Sequence, residues 1–143
     1  MTGISILLVE DNEGDIILTL EALKENKISN EIKVVRDGFQ ALQFLNKEGK
    51  YMSESTPDLI LLDINLPKVD GKEVLSYIKN NEDFKSIPVV MLTTSTSEKD
   101  ILDSYKAYAN CYIAKPVDLG KFMDVVKSIE NFWVTIVQLP KNK

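Results

Sequence analysis

Glu10 and Asp11 follow the apolar run at residues 4–9, Asp63 follows 59–62, Thr93 and Thr94 follow 89–92, and Lys115 and Pro116 follow 111–114. Each chemically capable side chain stands at the carboxyl end of a short apolar segment. Any one of them is explained by a wet loop after a buried segment. The conjunction asks for more. If the segments are parallel strands of one open sheet, three carboxylates, a hydroxyl and an ammonium converge on a single edge, where such sheets bind ligands. Carboxylates packed together repel one another unless a cation neutralises them, and a hard divalent ion with oxygen ligands, magnesium above all, is the economical partner. The chain has no histidine. That excludes Ser-His-Asp and Cys-His catalysis, histidine-ligated zinc and histidine general bases. Its chemistry must run on carboxylates, hydroxyls, lysines and backbone.

The elements that would position these residues are legible as alternating patterns. Residues 4–9 (ISILLV), 32–35 (IKVV), 59–62 (LILL), 89–92 (VVML) and 111–114 (CYIA) are β-branched or leucine-rich and too short for independent helices, which predicts strands. Near-continuous hydrophobicity in four of them predicts burial on both faces, as in a parallel sheet. Between the runs the spacing turns helical. Ile16, Leu20 and Leu23 follow Asn12 and Asp15, either of which can cap; Phe39, Leu42 and Leu45 follow Asp37; Val74, Leu75 and Ile78 follow Asp70. Ile101, Tyr105 and Tyr108 follow Ser97, with Asp100 placed to complete a capping box. A last stretch from Asp118 carries Leu119, Phe122, Val126, Ile129, Trp133 and Ile136 before Pro140. Five strands alternating with five helices predict right-handed βαβ units and a doubly wound α/β fold with helices on both faces. The polar segment 46–57 (NKEGKYMSESTP) reads as an exposed connection.

Composition bounds the rest. A length of 143 residues with 44% apolar and 27% charged residues describes a single globular domain, residues 1–143. With 17 basic against 22 acidic residues the net charge is −5, which speaks against autonomous nucleic-acid binding. No apolar run exceeds five residues, so no membrane crossing is expected. The amino end lacks the basic start and small-residue cleavage site of a secretion signal, and Cys111 stands alone, both of which fit a cytoplasmic protein. Glycines fall only at 3, 14, 38, 49, 71 and 120, which leaves no G-x-x-x-x-G-K or G-x-G-x-x-G nucleotide motif.

Four segments together, LLVEDN at 7–12, LILLDINLPKVDG at 59–71, PVVMLTTS at 88–95 and YIAKP at 112–116, resemble the signature blocks of the response-regulator receiver domain. The similarity spans roughly residues 4–131, in the family order. It implies a flavodoxin-like five-stranded parallel sheet of order 2-1-3-4-5, and a single-domain regulator in a two-component phosphorelay. Residue by residue it implies that Asp63 is the phosphoacceptor, that Asp11, Asp63 and the backbone carbonyl of Asn65 ligate magnesium, and that Glu10 does so directly or through water. Lys115 would pair with a phosphoryl oxygen and Thr93 with another. Tyr112 occupies the position of an aromatic switch, although a half-buried strand aromatic explains it as well. Asn65 and Ser95 occupy positions that tune phosphate lifetime. Pro67 and Gly71 would shape the loop after the acceptor, with an ordinary helix-entry glycine as the other reading of Gly71. Pro116 matches a position that is cis in the family, although most X-Pro bonds are trans. A sensor histidine kinase would donate the phosphoryl group.

Residues 132–140 extend the last helix beyond the receiver core, with Phe132, Trp133, Ile136 and Val137 giving it an apolar side. Either it folds back over the core or it forms a homodimer surface with the fifth helix. The extension, the long loop before the third strand and CYIAKPVDLGKF at 111–122 resemble stand-alone regulators that partner phytochrome-type sensor kinases. Two further readings are open. One is a magnesium-dependent aspartyl-phosphate phosphatase of the haloacid-dehalogenase type. It wants a second acid two residues after the nucleophile, where Asn65 stands. The other is a non-phosphorylated binding module, which would leave the acidic set and Lys115 without a purpose.

Overall fold

A computed structural model describes residues 4–25, 29–64, 66–93 and 111–114. Its strands are β1 (Ile4–Val9), β2 (Ser29–Val35), β3 (Leu59–Asp63), β4 (Val89–Thr93) and β5 (Cys111–Ala114). All pairings are parallel, in one sheet of order β2-β1-β3-β4-β5. The order is the one the family resemblance implies. The described helices are α1 (Glu13–Glu25), α2 (Gly38–Leu45) and α3 (Gly71–Lys79). The fourth and fifth predicted helices lie outside the described residues, as does the extension at 132–140.

Strand side chains alternate between two apolar layers. Leu7, Val9, Ile60, Leu62, Val89 and Met91 join Ala41, Phe44 and Leu45 of α2 and Val74, Leu75 and Ile78 of α3 on one face. Ile6, Leu8, Leu59, Leu61, Val90 and Leu92 join Ile16 and Leu23 of α1 on the other. Ile6–Val9, Leu59–Leu62 and Val89–Leu92 are therefore fully buried, as their unbroken apolar runs predict. Burying each such leucine or isoleucine stabilises the fold by about 2 kcal/mol.

The boundaries differ from the sequence pattern where hydrogen bonding outruns apolarity. β2 starts at Ser29 rather than Ile32, because its polar first residues still pair with β1. β3 and β4 each run one residue further, so that Asp63 pairs with Leu92 and Thr93 with Ala114. In α2 the inward residues are Gly38, Ala41, Phe44 and Leu45, and Phe39 is 51% exposed rather than part of the buried stripe. The helix is turned by the close seat of Gly38 against neighbouring backbone. The 46–57 connection is also less detached than its polarity predicts: Tyr51 is buried, with its ring 5.3 Å from that of Phe44. Further on, Lys79 Nζ donates to the carbonyls of Lys85 and Ile87 at 3.1 and 2.7 Å, tying the segment before β4 to α3. Desolvation there lowers the pKa of its amine.

Each described helix starts with a side-chain cap at the carboxyl edge of the sheet. Asn12 Oδ1 accepts from the N–H of Asp15 at 2.9 Å, Asp37 Oδ1 from Gln40 at 2.7 Å, and Asp70 Oδ1 from Lys72 at 2.7 Å. Gln40 Oε1 returns the favour by accepting from the N–H of Arg36 at 3.0 Å. A cap of this kind is worth about 1 kcal/mol and fixes where the helix leaves its loop. Among the described residues no helix is long and apolar enough to cross a membrane.

Gly71 opens α3 with its N–H donating to the Ile64 carbonyl at 3.0 Å, and a Cβ there would stand 2.1 Å from the carbonyl oxygen of Asp63 and 2.8 Å from Ile64 backbone. All three neighbours are backbone atoms, so none can rotate away. Gly71→Ala is expected to destabilise the fold by about 2 kcal/mol in urea unfolding, and wild-type stability would contradict the close approach.

Candidate functional site

β1 and β3 are neighbours, and their register pairs Val9 with Leu62. Continued by one residue, that register sets Glu10 beside Asp63. The ladder supports the extension on the other side, because the N–H of Glu10 donates to the Val35 carbonyl at 3.0 Å. Glu10 is fully buried, Asp63 is 2% exposed, and Asp11 is exposed at the rim. One carboxylate oxygen from each lies within 4.8 Å of the others. The three predicted acids are thus brought together, from two strands adjacent in space and more than fifty residues apart in sequence.

Backbone groups are among their supports. Glu10 Oε2 accepts from the N–H of Asn12 at 3.2 Å, so the residue that caps α1 also orients the buried glutamate. Asp63 is the last residue of β3, and the next N–H, from Ile64, donates to the Leu92 carbonyl at 3.0 Å. Its own carbonyl faces Gly71 at the start of α3. Beyond it the connection to α3 is held from two sides. Val69 presses on Gly38, where a Cβ would stand 2.0 Å from the Val69 carbonyl oxygen, and Lys68 Nζ lies 3.6 Å from Asp37 Oδ2. The reading of Gly71 as a loop-shaping glycine is thereby supported over that of an ordinary helix start.

Burying two carboxylates beside a third is costly in the absence of compensating charge. The donor set is all carboxylate oxygen, which fits a hard divalent cation rather than a soft metal. No histidine or thiolate belongs to the trio.

The other predicted site residues are described in part or not at all. Thr93 ends β4, one residue beyond Leu92 and so at the same sheet edge as Asp63, and Tyr112 lies in β5 with Met91 as its β4 neighbour; both side chains fall outside the described residues. So does the side chain of Cys111. Asn65, Thr94, Ser95, Lys115, Pro116, Phe132, Trp133, Ile136 and Val137 lie wholly outside them. Sequence reasoning missed three contributors. Asn12 was legible as a helix cap, whereas its bond to Glu10 had no sequence signal. Gly38 and Lys68 were not singled out. The Asp-Gly pair at 37–38, two residues after β2, was the available clue to the first, and Pro67 before Lys68 the clue to the second.

A family model described as the response regulator receiver domain matches residues 6–127. Response regulator Rcp1 of Synechocystis sp. is 49% identical over 135 residues, covering 94% of this chain and 92% of its own length. Among solved structures, the phosphorylated cyanobacterial phytochrome response regulator RcpA is 50% identical, with a TM-score of 0.80 and coverage of 93% of this chain and 95% of its own. The Mn2+-bound form of Rcp1 is 48% identical, with a TM-score of 0.78 and coverage of 91% and 94%. The strand order, the acids at the ends of β1 and β3 and these similarities lead to one conclusion: the chain belongs to the response-regulator receiver domain family of two-component signalling.

Proposed function

We propose that this domain accepts a phosphoryl group on Asp63 from the phosphohistidine of a sensor histidine kinase, and that the acyl phosphate switches its binding to a partner protein. The observation that carries the reading is the gathering of Glu10, Asp11 and Asp63 within 4.8 Å at the carboxyl edge of the sheet. In the transfer, a carboxylate oxygen of Asp63 bonds to phosphorus as the P–N bond to the donor imidazole breaks, and the electron pair leaves with the nitrogen. Phosphoryl transfer asks mainly for positioning and charge neutralisation. A bound divalent ion, magnesium in our reading, supplies positive charge against the phosphoryl oxygens. Glu10, Asp11, Asp63 and the Asn65 carbonyl would hold it, with Glu10 acting directly or through water. The ammonium of Lys115 pairs with one phosphoryl oxygen, and the hydroxyl of Thr93 hydrogen-bonds another. Movement of Thr93 lets Tyr112 turn inward, which biases a two-state equilibrium of the fourth helix–β5–fifth helix face. Asn65 and Ser95 tune how long the phosphate persists. The domain transfers phosphate to itself from small donors and slowly hydrolyses the product, acting as a phosphoacceptor rather than a dedicated enzyme.

Support for the kinase partner comes from the relatives: RcpA is a phytochrome response regulator, and a phytochrome-like sensor kinase is the donor we propose here. The Mn2+-bound form of Rcp1 supports a divalent site. We read residues 1–143 as one receiver domain acting in the cytoplasm, and Phe132, Trp133 and Ile136 as a homodimer surface made with the last helix.

Two outcomes follow. With magnesium and a small acyl phosphodonor, wild type becomes labelled, Asp63→Asn does not, and chelation of the metal lowers the labelling rate at least about tenfold; persistent labelling of Asp63→Asn refutes the assignment. In a sedimentation concentration series the protein passes from monomer to dimer, and Trp133→Ala weakens the association by about 2 kcal/mol. A strict monomer, phosphorylated or not, rules the dimer out.

A further inference from the structure

Among the described residues, two non-glycine positions have positive φ, Lys47 at 55° and Lys68 at 67°. Lys47 has a local reason: it follows the C-cap of α2, and its N–H donates to the Phe44 carbonyl at 3.1 Å, a left-handed helix ending. Lys68 follows Pro67, an order that suits a turn with a left-handed second residue, but a lysine takes the place that usually falls to glycine. It lies in the connection that links Asp63 to α3, and a lysine there holds a conformation that disfavours every residue with a Cβ. Such strain persists only where the surroundings over-determine it.

The surroundings that do so belong to α2. Asp37 is 6% exposed and divides its oxygens, Oδ1 capping α2 through the N–H of Gln40 and Oδ2 facing Lys68 Nζ at 3.6 Å. Gly38 lets the Val69 backbone approach so closely that a Cβ would stand 2.0 Å from its carbonyl oxygen. At the other end Gly71 meets the backbone of Asp63 and Ile64. The connection is therefore gripped at Lys68–Val69 by one helix start and at Asp63–Ile64 by another.

We propose that the Asp37–Gly38 start of α2 is a positioning element for the acceptor site: by holding Lys68 and Val69 it fixes the backbone that follows Asp63 and so sets the affinity of the acidic trio for a divalent ion. This rests on the reading of Glu10, Asp11 and Asp63 as a metal site. The ion pair itself contributes little, since Lys68 is mostly exposed. Its value lies in selecting one loop conformation, as outer supports of a metal site do.

Lys68→Gly separates positioning from stability, because the two respond with opposite signs. Glycine relieves the positive φ, so the urea midpoint rises or holds, while the loop loses its ion pair and its stiffness. Titration of the full chain with Mg2+ by calorimetry is expected to show Kd weakened about tenfold in Lys68→Gly and in Gly38→Ala. Gly49→Ala is the control. Its φ is +56° with nothing within 4 Å of a new Cβ, so it loses stability away from the loop and keeps the wild-type Kd. Should Gly38→Ala fail to fold, Lys68→Gly decides alone. A wild-type Kd in Lys68→Gly, or an equal loss in Gly49→Ala, overturns the positioning role while leaving the metal site intact. No Mg2+ binding by wild type overturns both.

Discussion

Three carboxylates held at one sheet edge, two of them buried, are the constraint around which the rest of the domain is arranged. Like charges at this separation push apart, and burial removes the water that would screen them. The fold holds them together by making the strands that carry them inseparable. β1 and β3 sit side by side in the middle of the sheet, with every apolar residue of β3 and all of Ile6–Val9 fully buried. Neither strand can slip to relieve the repulsion without turning its whole apolar set to the wrong face. Apolar burial, which is not directional, thus supplies the force that keeps a directional arrangement of charge in place. In the function proposed, a cation bound at that edge would relieve the repulsion and would suit the arrival of a dianionic phosphoryl group.

Around that edge the loops are fixed by small, specific devices. Asn12 serves both α1 and Glu10, and Asp37 serves both α2 and Lys68. Gly38 and Gly71 allow two helix starts to press against the backbone on either side of the connection after Asp63. A sheet edge alone would leave loops free to wander. Here three helix starts reach into the loops that carry the chemistry, so local capping energy of about 1 kcal/mol each also orders the site.

Much of this was legible in the sequence, for physical reasons. Strands buried on both faces write themselves as unbroken apolar runs, so residues 4–9 and 59–62 were readable to within a residue, and the acids that follow them could be placed at one edge before any coordinates. Side-chain caps also leave a local signature, which made Asp37 and Asp70 readable. What escaped depends on contacts between distant segments. The outward turn of Phe39 follows from where Gly38 meets Val69, and the burial of Tyr51 from its contact with Phe44. The left-handed backbone at Lys68 is marked only by Pro67 before it, because lysine itself is not chosen for that conformation. The family resemblance supplied the strand order and the residue roles, which periodicity could not.

In the function proposed, the phosphoryl group is carried by the carboxylate at the end of β3. That assignment is tested most directly by reducing the phosphorylated protein with borohydride, which converts an acyl phosphate to an alcohol, and locating the change by peptide mass mapping. Homoserine is expected at position 63 and nowhere else. Reduction at Glu10 or Asp11, or stable phosphate on a hydroxyl side chain with residue 63 unchanged, would contradict it.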